Sequence, residues 1–286
     1  MKTVAYDLMA ELEDSHWWYR ARRLIVADVI TRFVPPPSDV IDYGSGTGGT
    51  AESLNELGYN TVAADISEEA LEVCRMRGLA TVNLKKESLR RSSADCILAG
   101  DVLEHVNDDV ALLFSLRQAL RQGGLLVVSV PAFEFLWSGE DYVSEHMRRY
   151  TRKTLLQHLD LAGFRVVWCS YFNTLLFPVI ASVRLTNRLL FPRAMYRSDV
   201  RPLPMWQNEV LSKLFASERH LLRWIRFPVG ASLLAVAQIA EAERVISRAE
   251  QHVVQEGSSP SGARMRGAIS KSGGNSSLAE ESGIGW

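Results

Sequence analysis

The stretch "VIDYGSGTGGT", residues 40–50, decides how this chain is read. An apolar run meets Asp42, and then Gly44, Gly46, Gly48 and Gly49 follow, interleaved with small hydroxyl residues. A short apolar run bounded by such residues reads as a buried strand followed by a tight turn. Glycine there permits positive φ and removes the Cβ atoms that would hold a ligand away from the backbone. In an open α/β sheet, this turn lies at the carboxyl end of a strand, where the ligand crevice opens.

Outward from the turn, short apolar runs alternate with helical patterns, the signature of a mostly parallel α/β sheet. A helix is expected over 18–34, ended by three prolines. Strands follow at "DVIDYG", "TVAAD", "LATVNL", "ADCILAG" and "GLLVVSV", with helices over 47–57, 67–77 and 108–121. A helix over 151–162, with Thr151 as N-cap, leads into the strand "FRVVWCSYF", whose expected partner is the distant "ASLLAVAQIA". Between those two strands lies an insertion of two helical patterns, 174–192 and 206–226. A last helix is expected over 240–254. The Gly/Ser-rich residues 256–286 carry too little apolar surface to offset their ordering entropy and are expected to be disordered. The expected divisions are a helical cap (1–37), a ligand-binding core (38–172), a helical lid (173–228), the last strand and helix (229–255), and the tail.

A chain of 286 residues with net charge −1 fits one large α/β domain with additions, and the neutral balance argues against a general nucleic-acid binder. Cys74, Cys96 and Cys169 are too widely spaced for a disulfide framework or zinc knuckle, which fits a reducing, cytoplasmic compartment. The acidic N-terminus shows no signal-peptide core. The uncharged stretch 166–183 holds Asn173, Thr174 and Pro178 and is not expected to span a bilayer.

Residues Gly44–Gly49 also satisfy G-x-G-x-x-G, a fingerprint shared with dinucleotide sites. Two neighbours discriminate. Asp42, just before the first glycine, would repel a pyrophosphate at the helix N-terminus but favour a cationic ligand end. Asp65 closes "TVAAD" about twenty residues on, placed to accept hydrogen bonds from a ribose diol. An adenosine with a positive tail satisfies both, as S-adenosylmethionine does.

On these residues the chain resembles the class I S-adenosylmethionine-dependent methyltransferases, including type 11/12 methyltransferase domains and ubiquinone-pathway O-methyltransferases. "VIDYGSGTGGT", "VAADIS", "ADCILAGDVLEHV" and "LRQGGLLVVSVP" look like their first, second, fourth and fifth motifs. The resemblance implies a Rossmann-like seven-stranded sheet with an antiparallel last strand and a helical insertion before it. It implies that Asp42, Gly44, Gly46 and Gly48 line the methionyl moiety, Asp65 holds the ribose, and Ile66 meets the adenine. Gly100 and Asp101 would meet the methionine end, with Trp18 capping the ligand and Arg22 reaching its carboxylate. Where relatives carry an acid that reads the adenine amino group, this chain has "TVNLKKES", leaving Asn83 or Leu84 for that place.

Methyl transfer from a sulfonium is an in-line displacement, so the acceptor site has to position a nucleophile and, for a hydroxyl, take up its proton. In "DVLEHV", Asp101, Glu104 and His105 stand at i, i+3 and i+4, sharing one face if the segment is helical. They could hold a divalent ion, or His105 could act as base. The hexapeptide is common in methyltransferases without metal, so no metal is expected. In "PAFEFLWSGEDYVSEHMRRYT", His146, Arg148, Arg149 and Tyr150 either serve the acceptor or form a salt-bridged helix start with Tyr150 in the core. Glu104, His105 and His146 are the candidates for acceptor chemistry. In "SHWWYRARR", Trp17 and Trp18 either cap the site or anchor the helix to the sheet.

The insertion carries nine Lys or Arg against Asp199, Glu209 and Glu218, which suits a peripheral membrane contact through 174–226 or a lipid-linked acceptor; a solvated lid is the plainer alternative. The expected reaction is methylation, at oxygen, of a small-molecule or lipid-linked acceptor. An NAD(P)-dependent oxidoreductase and a non-catalytic methyltransferase-like binding module are the rivals.

Overall fold

The computed structural model describes residues 10–190 and 203–240. The expected helix over 240–254, the tail, and Arg193, Arg197, Asp199 and Arg201 of the insertion lie outside the described residues.

Strands β1 (Asp39–Tyr43), β2 (Asn60–Asp65), β3 (Ala80–Asn83), β4 (Ala94–Gly100) and β5 (Leu120–Pro131) are parallel. Strand β7 (Ser232–Ile239) runs antiparallel between β5 and β6 (Phe164–Phe172), giving the sheet order β3-β2-β1-β4-β5-β7-β6. The seven strands and the reversed last one match the expected architecture. The chain leaves β1 toward β2 and β3 on one side and returns to β4 and β5 on the other. The crevice at the carboxyl ends of β1 and β4 is therefore the switch point of the sheet. Strands buried on both faces read as continuous apolar runs, which is why the central segments showed no alternation.

The helices follow in chain order: α1 (Trp17–Phe33), α2 (Gly49–Glu56), α3 (Glu68–Met76), α4 (Asp109–Ala119), α5 (Gly139–Val143), α6 (Arg152–Leu161), α7 (Phe177–Leu190) and α8 (Met205–Leu221). Helix α1 buries Ala21, Ile25, Val26, Val29 and Ile30, a single stripe at helical spacing. Ser67, Asp108 and Thr151 cap α3, α4 and α6 through their side chains. Helix α4 stops at Ala119, earlier than expected, because Leu120 already pairs with Ala94 and begins a twelve-residue strand.

The two insertion helices differ in what they touch. Helix α8 packs against α1: the Trp17 N–H donates to Asn208 Oδ1 (2.6 Å), and Arg20 and Asp28 pair with Glu209 and Arg223. Phe215 is fully buried between Trp17 and Phe172. Glu218, also fully buried, accepts the Leu175 N–H at 2.8 Å and so fixes the approach to α7. Helix α7 buries no residue fully and lies across the mouth of the crevice. Among the described residues, no helix is long and apolar enough to cross a membrane.

Candidate active site

The crevice holds a cavity of about 730 Å³. Its floor is the glycine turn and the ends of β1, β2, β4 and β5; α1 and α7 close its sides. A second hollow, about 770 Å³, lies at the amino ends of β1–β3, where Asp39 and Arg121 pair at 2.7 Å. It holds none of the expected site residues.

In the glycine turn, Gly44, Gly46 and Gly48 all have positive φ. A Cβ on Gly44 would lie 2.5 Å from Val102 Cγ2, so this position has neither the space nor the backbone for a side chain. The Gly46 N–H donates to Asp65 Oδ2 (2.9 Å) and the Ser67 N–H to Asp65 Oδ1 (2.8 Å), so the acid that ends β2 also holds the turn in place. Asp65 lines the cavity at the end of β2, where a carboxylate can accept from a diol. Asp42, Gly44, Gly46, Ile66, Gly100, Asp101, Trp18 and Arg22 line it as well. Gly48 does not: its missing side chain makes room for Cys74 Sγ and Leu79 Cδ1, each 2.8 Å from where a Cβ would stand. Of the two adenine candidates, Leu84 lines the cavity. Asn83 is spent on Glu68 (2.5 Å) and on the Lys85 N–H (2.9 Å).

Burial pushes the Asp42 carboxyl up to about 7, against the opposing pull of Arg22. A cationic ligand end is what such a carboxyl favours when it ionises. Arg22 pairs with Asp101 at 2.8 Å, donates to Ser129 Oγ (3.2 Å) and lies over Trp18, 5.3 Å from the ring centre. Asp101 is itself held at φ 58, so the end of β4 presents a carboxylate in a strained, fixed position.

Sequence reading missed Glu13. Its buried carboxylate accepts the Thr47 hydroxyl (2.6 Å) and the Gly49 N–H (2.9 Å) at the first turn of α2, and Arg77 pairs with it at 3.1 Å. This is the place where a dinucleotide would put its pyrophosphate. The protein's own anion fills it, which removes the basis for the nicotinamide-cofactor rival.

At the other end of the cavity the expected helix start is a single 3-10 turn, Leu103–His105. Asp101 turns toward Arg22, while Glu104 and His105 come together with His146 from the α5–α6 loop. The His105 and His146 rings meet edge to face at 4.7 Å, and His146 Nε2 is 4.0 Å from Glu104 Oε1. Burial and the neighbouring His146 lower His105 to about 4, and burial with the nearby Asp101 raises Glu104 well above the usual carboxyl range. His146 Nδ1 bonds Asp141 Oδ1 at 2.8 Å. Asp141 is fully buried; Arg149 grips both its oxygens at 2.8 Å, and the Ser138 N–H adds a fourth bond. Burial alone would raise that carboxyl, but His146 and Arg149 hold it well below its ordinary value. The Ser138–Asp141 spacing is legible as a capping box; its second task of holding His146 is not.

The two readings of the 131–151 loop divide by residue. Tyr150 is core, donating to Asp109 Oδ2 at 2.6 Å, and Arg148 pairs with the same acid, whereas His146 and Arg149 line the cavity. Trp17 and Trp18 divide likewise: both line the cavity, and Trp17 also packs on Phe215.

A methyltransferase-domain family model matches residues 17–168, more than half of the chain. The chain belongs to the methyltransferase-domain family. Its sheet is that of the class I, S-adenosylmethionine-dependent methyltransferases. Similar curated proteins include the ubiquinone biosynthesis O-methyltransferase of Xanthomonas oryzae pv. oryzae (28% identity over 141 residues, 44% of this chain and 59% of the relative). That of Xanthomonas axonopodis pv. citri is 27% identical over 152 residues, 48% of this chain and 64% of the relative. The methyltransferase thus spans less than two thirds of either relative. Its fold is similar to a chain in the Haloferax volcanii complex of a methyltransferase activator with its partner (16% identity, TM-score 0.55, 83% of this chain and 95% of that one).

Proposed function

We propose that this methyltransferase moves the methyl group of S-adenosylmethionine to the hydroxyl oxygen of an amphipathic acceptor, small or lipid-linked. One observation carries the donor: two acids, Asp42 and Asp65, face the cavity at the ends of neighbouring strands, while Glu13 already fills the anion place on α2. The residues fit the donor's parts. Asp65 lines the cavity as an acceptor for a ribose diol, Ile66 and Leu84 offer an apolar wall for adenine, and Asp42 and Asp101 lie where a cationic amino acid end belongs. The donor supplies an activated methyl on a sulfonium; the protein's task is to align a nucleophile and exclude water.

Glu104, His105 and His146 supply the acceptor end. A hydroxyl must lose its proton as the new C–O bond forms, and this is the one cluster of proton-accepting groups at that end of the cavity among the described residues. The methyl carbon leaves sulfur with the bonding pair remaining on sulfur, and S-adenosylhomocysteine is the second product.

Helix α7 supports an acceptor with an apolar part. Val179 and Val183 line the cavity yet are 63% and 52% exposed, so the mouth is an open apolar rim. Beyond it, Leu189, Leu190, Trp206 and Trp224 are exposed, with Lys213 81% exposed on α8. These residues support the membrane-facing reading of 174–226. The free, buried Cys74, Cys96 and Cys169 support a cytoplasmic one.

The test incubates the protein with methyl-labelled donor and cell extract, then separates aqueous and lipid phases. Label in the lipid phase is the expected result, and label confined to water-soluble products would remove the lipid-linked acceptor. No transfer to any fraction, with no thermal shift on adding S-adenosylhomocysteine, would sink the enzyme reading. NAD and NADP are expected to give no shift.

A further inference from the structure

We propose that Asn173 determines acceptor specificity: its carboxamide oxygen takes a hydrogen bond from a hydroxyl or N–H that the acceptor carries apart from the oxygen to be methylated. This inference rests on the function proposed above and adds a chemical feature to that substrate. Asn173 follows β6 directly, is 2% exposed and lines the cavity. Its Oδ1 is buried with no hydrogen-bond partner among the described residues. A buried acceptor left unpaired is costly, and side chains in that position are as a rule paired.

Backbone geometry does not account for this side chain. Asn173 sits at φ 56, where Asn is tolerated, but glycine meets the same angle without burying an amide. The main chain here is held from behind, by groups outside the cavity. Glu218 of α8 faces the backbone N–H groups of Leu175 (2.8 Å), Thr174 and Asn173. Successive amides around a left-handed residue make such an anion nest. The Asn173 carbonyl accepts the Ala231 N–H (3.3 Å), and a Cβ on Gly230 would collide with the Phe172 carbonyl, so the lead into β7 is pressed against this turn. The position of Asn173 is therefore fixed by its main chain, and Oδ1 is left with no task in the fold.

Its place in the sheet gives it one in recognition. In the order β4-β5-β7-β6, Asn173 stands three strand spacings from the turn that carries Glu104, about 14 Å at the usual separation. An acceptor whose reacting hydroxyl lies beside His146 and whose body follows the strand ends passes Pro131, Ala231 and Ser232 before it reaches Asn173. Pro131 and Ala231 offer it apolar surface. A site with a buried group waiting for a hydrogen-bond donor rejects a molecule that lacks the donor far more strongly than an apolar pocket rejects a missing methylene. An acceptor with an ether or ester at that point leaves Oδ1 unpaired and is refused.

The test uses methyl-labelled S-adenosylmethionine with total cell extract added from limiting to saturating amounts, and compares wild type with Asn173→Gly. Glycine keeps the left-handed backbone and removes the carboxamide. Half-saturation is expected to need about tenfold more extract, with label transfer at saturation within about threefold of wild type, the pattern of lost acceptor binding. Unchanged S-adenosylhomocysteine affinity by calorimetry reports that the variant is folded. A second measurement needs no variant: the labelled product of wild type, analysed by mass spectrometry in deuterated solvent, should hold at least one exchangeable hydrogen. A product with none, or a folded variant whose half-saturation point is unmoved, overturns the role of Asn173 and leaves the methyltransferase reading standing. A lower saturating rate at an unmoved half-saturation point also overturns it, since Asn173 would then support the transfer step and not acceptor choice. Absence of transfer by wild type at every amount of extract removes the acceptor reading itself, and this inference with it.

Discussion

The two ends of the cavity are built differently. The donor end comes from consecutive residues: a turn whose amides are held by the acid that closes the next strand, as Gly46 is by Asp65. The acceptor end is assembled from side chains about forty positions apart, a 3-10 turn after β4 and a loop before α6, fixed by a buried Arg149–Asp141–His146 chain. A site made of backbone and glycines tolerates few changes but is the same in whatever protein carries the turn. One made of side chains on loops is free to differ, which is what the proposed choice of acceptor needs.

If that division holds, damage to one end should leave the other intact. The largest effect is expected at the acceptor end: His146→Ala should slow label transfer about 10²–10⁴-fold. S-adenosylhomocysteine affinity by calorimetry should change by less than about threefold. Next comes Asp65→Ala, which removes both the diol acceptor and the clamp on Gly46; affinity for S-adenosylhomocysteine should fall about a hundredfold, since hydrogen bonds to a charged group count for about 1.5–3 kcal/mol each. An unchanged affinity would break the comparison at its root.

Backbone strain gives a smaller, sharper contrast. Gly44 and Gly78 share nearly the same φ, 73° and 79°, but a Cβ on Gly78 meets nothing within 4 Å. Gly78→Ala should cost about 1–2 kcal/mol in urea unfolding from its left-handed backbone alone. Gly44→Ala adds the collision with Val102, about 1–3 kcal/mol more. Equal losses would mean that the donor turn is no more tightly packed than a surface turn.

The smallest effect is a pH dependence. Asp42, raised to about 7, holds a proton below that value and is anionic above it. Donor affinity should therefore rise by roughly tenfold between about pH 6 and about pH 8. Because the folded pKa is the raised one, Asp42 stabilises the unliganded fold in acid, and this contribution is lost as pH climbs through about 7. Asp42→Asn should flatten both curves.

Much of the donor end was legible because its signals are local. A strand, a turn requiring positive φ and an acid at the end of the next strand all lie within twenty-six residues, Val40 to Asp65. Gly48 shows the limit: its position in the motif said ligand, but its neighbours Cys74 and Leu79 say packing. Glu13 was illegible, since nothing in "AELEDSHWW" says that a carboxylate will fold back onto Gly49. Asp101 was expected to share a face with Glu104 and His105, but a positive φ at that residue sends it to Arg22 instead.

The amino-acid sequence by itself determined the sheet, the crevice at its switch point and the sign of charge the crevice prefers, because periodicity, glycine and strand-end acids act over a few residues. Only the tertiary structure decided which groups come together: Glu104 with His105 and His146, Asp141 with Arg149, Glu13 with the first turn of α2. Such pairings depend on desolvation and on distances of a few ångströms between distant segments, and no spacing along the chain encodes those.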